Sequence, residues 1–77
     1  MTLNFQLACA ARRVRAASER LPEQHRPDVA AEWSDLLDRI EHKSGPQAHR
    51  LIDEWAAEME QRLARALLNC PLEVHRS

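Results

Sequence analysis

Two cysteines, four histidines and ten arginines are the side chains here whose types could do chemistry, and their spacing favours little of it. A zinc site needs three or four ligands at defined intervals, and no Cys-x-x-Cys or His-x-x-x-His run occurs. His42 and His49 flank one turn, with Asp38 one helical turn before His42, and solvated rings are expected there. His25 and His75 stand alone. Ser18, Ser34 and Ser44 have no His/Asp arrangement that would activate a hydroxyl. The carboxylates fall on polar helix faces, without the apolar setting that raises a pKa for acid–base work. A single glycine, Gly45, excludes a glycine-rich phosphate loop. No catalytic residue, cofactor site or metal ligand is therefore assigned, and an enzyme is not expected.

The arginines are the one group with a pattern. Residues 1–26 carry five Arg against Glu19 and Glu23, a local charge of +3 within a chain of net charge −1. Arg12, Arg13, Arg15 and Arg20 form a basic face that could contact phosphate. No aromatic residue interleaves them, however, and nothing matches a helix-turn-helix recognition pair. Arg13 and Arg20 are expected to face acids of the second helix such as Glu32, leaving the others to solvent. Cys9 and Cys70 are expected to be reduced thiols. No basic leader or apolar run of spanning length is visible, which points to a cytoplasmic protein without a membrane role. Arginine far outnumbers lysine and alanine is abundant, a bias typical of bacterial or phage genes.

These side chains must be positioned by helices. The chain has 77 residues, is 30% charged and has few β-branched clusters, so an all-α fold follows. Leu3, Leu7, Ala10, Val14, Ala17 and Leu21 recur at the spacing of a packed helix seam, predicting a helix over about 3–20. Thr2 is its expected N-cap and Pro22 its stop. Pro27-Asp28 opens a second helix, about 28–43, with Val29, Trp33, Leu36 and Ile40 on its seam. Ser44 and Gln47 have capping-box spacing ahead of a third helix, about 46–69. Its apolar face reads Ala48, Leu51, Ile52, Trp55, Met59, Leu63, Ala66, Leu67 and Cys70. Residues 1–70 then form one domain, and 71–77 are a loose tail after Pro71.

Short connections predict an antiparallel, up-down-up three-helix bundle. Aligning its turns stacks Trp33 on Trp55 with Val14 and Ala17 beside them. Leu21, Val29 and Met59 form one flanking layer, and Leu7, Ala10, Ile40, Ala48 and Ile52 the other. In this alignment residues 62–70 overrun the body by roughly 12 Å at 1.5 Å per residue. Leu63, Ala66, Leu67 and Cys70 would lack an internal partner, bordered by Arg62 and Arg65 in a composition that suits a protein interface. Leu72 and Val74 of the tail are the competing cover.

The expected function is a small non-enzymatic interaction module, probing a protein partner and self-associating as a homodimer. An adaptor, an anti-activator or an inhibitor that masks a larger target fits this description. A nucleic-acid regulator using the basic face, and a metal- or redox-responsive protein using the cysteines and histidines, are the alternatives.

Overall fold

A computed structural model describes residues 2–69, and within them the fold is three α-helices with no strand. Helix α1 is Leu3–Ser18, α2 is Val29–Ile40 and α3 is Gly45–Asn69. A short 3-10 turn, Glu23–His25, lies between the first two. Cys70, His75 and the tail expected over 71–77 fall outside the described residues.

Each helix begins where the sequence supplies an acceptor for its free backbone donors. Thr2 Oγ1 accepts from the Phe5 N–H at 3.2 Å, and Asp28 Oδ1 accepts from the Ala31 N–H at 3.1 Å. Caps of this kind contribute about 0.5–2 kcal/mol each. At the start of α3 the Ser44 N–H donates to Gln47 Oε1 at 3.4 Å, the Gln half of the capping box. The first two helices end sooner than the spacing predicts. After Ser18 the chain tightens, with the Leu21 N–H bonded to the Ser18 carbonyl at 3.0 Å. After Ile40 the next positions are polar, so further helical turns would bury nothing, and the Lys43 N–H closes back on the Ile40 carbonyl at 3.1 Å.

The helices pack as a bundle, and α1 against α3 is its main contact. Val14, Leu21, Leu36, Ile52, Ala56, Met59 and Leu63 are almost wholly buried, with Trp55 6% exposed. Leu7, Val29, Trp33 and Ile40, expected in the core, are half-buried around this cluster. Trp33 and Trp55 meet edge to face with ring centroids 5.6 Å apart, a geometry favoured by the aromatic quadrupole. The Nε1–H of Trp55 is buried without an acceptor. An unmet buried donor costs about 1–3 kcal/mol.

The register between α1 and α3 differs from the expected layers. Gln6 bonds His49 at a separation of 43 and Asp53 at 47, and Arg13 bonds Glu60 at 47. The expected pairing of Val14 with Trp55 is a separation of 41. So α1 sits about two to six residues, roughly 3–9 Å, further along α3. Carrying the observed offsets onward brings Ser18 level with residues 61–65. Leu63 therefore does not overhang the bundle: it is 2% exposed and belongs to the core, sharing that cluster with Leu21. Ala66 is half-buried against the same cluster. Of the leucines expected to lack an internal partner only Leu67 stays open, 38% exposed, and beside it in sequence Leu68 is 84% exposed.

Candidate interaction surface

The polar side chains sort by which helix they face. On α1, residues 6, 10, 13 and 17 recur at helical spacing, and this stripe lies against α3. Gln6, 7% exposed, sits in it and ties the two helices together. Its Nε2 donates to the His49 carbonyl at 2.9 Å and to Asp53 Oδ1 at 2.8 Å. Its Oε1 faces His49 Nδ1. Because both amide hydrogens of Gln6 are already committed, the oxygen must accept, which places a proton on His49 Nδ1. His49 is thus a half-buried structural ring and not a solvated one. Replacing Gln6 by leucine keeps the volume but strands these partners. It is expected to lower urea-measured stability by about 1–3 kcal/mol. A loss below about 0.5 kcal/mol would show that the amide ties nothing.

Arg13 does not face the second helix. Its Nη2 lies 2.6 Å from Glu60 Oε1 and its Nε 3.3 Å from Oε2, a two-pronged pair between α1 and α3. The Glu60 hydrogen bond raises the Arg13 pKa above its usual value. Both partners are well exposed, so the pair contributes about 0.2–1 kcal/mol. Glu32, the acid expected opposite Arg13, is engaged from the other side by Arg62 at 3.5 Å. Arg62 also directs its Nη1 at Met59 Sδ at 3.3 Å, so it lies across the bundle toward α2. Arg12, Arg15 and Arg20 are exposed and have no carboxylate within 4.0 Å among the described residues.

At the far end of α3, Leu67 and Leu68 share a shallow groove with Ala17, Arg20, Leu63 and Ala64. Leu63 forms its covered inner end. Leu67 and Leu68 form the open one, and Arg65 earlier on the helix is exposed. The interface set predicted from spacing thus divides. Leu63 is core, Ala66 is partly covered, Arg62 bridges to Glu32, Cys70 lies outside the described residues, and Arg65 and Leu67 are open. Leu68, absent from that set, is the most exposed large apolar residue of the described chain. It lies off the i, i+3, i+4 stripe, so seam spacing passes over it.

Cys9 is a free, half-buried thiol beside Gln6 and Arg13. Among the described residues no three His, Cys, Asp or Glu side chains gather as metal ligands, and no helix is long and apolar enough to cross a membrane. No family model, no curated protein and no solved structure matches this chain.

Proposed function

We propose that this chain is a small non-enzymatic protein–protein interaction module that self-associates. Its role would be that of an adaptor, anti-activator or inhibitor covering a surface of a larger partner. The observation that supports this reading is the leucine pair at the end of α3, with Leu68 84% exposed next to Leu67. An isolated apolar side chain on a surface is ordinary, whereas adjacent leucines bordered by Arg20, with Arg65 exposed one helical turn before Leu68, match the make-up of an interface centre and its edge. An up-down-up course is part of the same proposal. It is supported by the parallel stepping of the Gln6–Asp53 and Arg13–Glu60 pairs along α1 and α3.

The test is Leu68→Asp. In light scattering the native chain is expected to run above the mass of one copy, and the variant at that mass, with far-ultraviolet circular dichroism unchanged. A native chain that is monomeric and retains no protein partner on an affinity column overturns the proposal.

A further inference from the structure

Between α1 and α2 runs an open groove of about 420 Å³, and it exists because of how unevenly the helices share their contacts. α1 commits its main face to α3, and α2 places Leu36 alone in full burial. The facing positions Ala11 and Ala30 are too small to close the gap. What lines it is mostly apolar: Val14 and Val29 on the walls, and both tryptophans of the chain, Trp33 and Trp55. Trp55 brings the one orphaned buried polar side-chain atom of the described residues, its Nε1–H.

The rim is charged. Arg15, Arg26 and Glu19 border the groove. The Arg26 side chain is held there, its Nε donating to the Leu21 carbonyl at 2.9 Å and its Nη2 to the Glu19 carbonyl at 3.5 Å. Neither guanidinium has a carboxylate within 4.0 Å among the described residues. Two cations against one carboxylate leave the mouth with a charge of +1.

We propose that this groove binds a small aromatic carboxylate, its ring against the tryptophans and its acid group at Arg15 and Arg26. The volume lies within the range of about 300–1,000 Å³ typical of small-molecule sites. Aromatic rings pack on tryptophan offset or edge-on, and a guanidinium presents a planar fork that matches a carboxylate. The inference is independent of the interaction role above, since it concerns a different face from that carrying Leu67 and Leu68.

The full chain, labelled with nitrogen-15, is titrated with 2-naphthoate and followed by nuclear magnetic resonance. The chain holds two tryptophans, so its two indole N–H signals report on the groove directly. Both are expected to shift saturably. Arg15→Gln, at an exposed position, should weaken 2-naphthoate about two- to five-fold, the scale of a surface ion pair, without altering the free spectrum elsewhere. The neutral analogue 2-naphthylmethanol should bind more weakly and ignore that substitution. Indole signals unmoved at millimolar 2-naphthoate overturn the site. Equal binding of the acid and the alcohol, or no effect of Arg15→Gln, overturns the carboxylate assignment.

Discussion

Replacing Trp55 by alanine is expected to unfold this protein at room temperature. Large-to-small changes of a buried tryptophan cost about 3–5 kcal/mol, through lost transfer energy and the cavity left behind. A single core in a chain of this length supplies about that much stability in total. Trp55 is 6% exposed and joins the helices: it belongs to the α3 core and meets Trp33 of α2 edge to face. Loss of the unmet Nε1–H offsets part of this, which places the cost toward the lower end of that range. Urea unfolding followed by circular dichroism checks this. Trp55→Ala should lack a cooperative native baseline, whereas Trp33→Ala, at a half-buried position, should keep one. A folded Trp55→Ala protein with an unshifted midpoint would mean that the core lies elsewhere.

Leu63→Ala carries the second largest expected effect, a loss of about 2–5 kcal/mol, while Leu68→Ala should change stability by no more than about 0.5 kcal/mol. The two leucines stand five residues apart on one helix, yet one is 2% exposed and the other 84%. Paired urea titrations of the two variants separate the covered part of α3 from its open end. Equal losses would mean that Leu68 is also packed, and the surface proposed for partner binding would disappear with it.

The helices themselves were legible because their signals are local. The seam of Leu3, Leu7, Ala10 and Val14, the cap at Thr2, the Pro27-Asp28 opening of α2 and the turn before α3 all follow from neighbours within four residues. The stacking of Trp33 with Trp55 also followed, since a short turn fixes which residues of α2 and α3 share a level. The position of α1 along α3 did not follow. Two amphipathic helices slide past one another by a turn or more with their apolar faces still matched, so apolar spacing alone cannot choose among registers. The choice is expressed in Gln6 with Asp53 and Arg13 with Glu60, polar residues whose partners lie 47 positions away. That displacement moved Leu63 from the surface into the core and narrowed the candidate interface to the last turn of α3. The structural role of His49 escapes local spacing for the same reason: its partner, Gln6, is 43 positions distant.

The dominance of the α1–α3 contact also bears on how quickly the native state is reached. In many small helical proteins the best-packed helices are consecutive, and assembly is fast because little chain must be closed off first. Here the first and third helices form the principal contact, tied by side-chain bonds spanning 43 to 47 positions. The entropy of closing that long loop must be met before most apolar burial is gained. The second helix behaves in this respect as part of the tether, so folding should be slower than helix content alone would suggest.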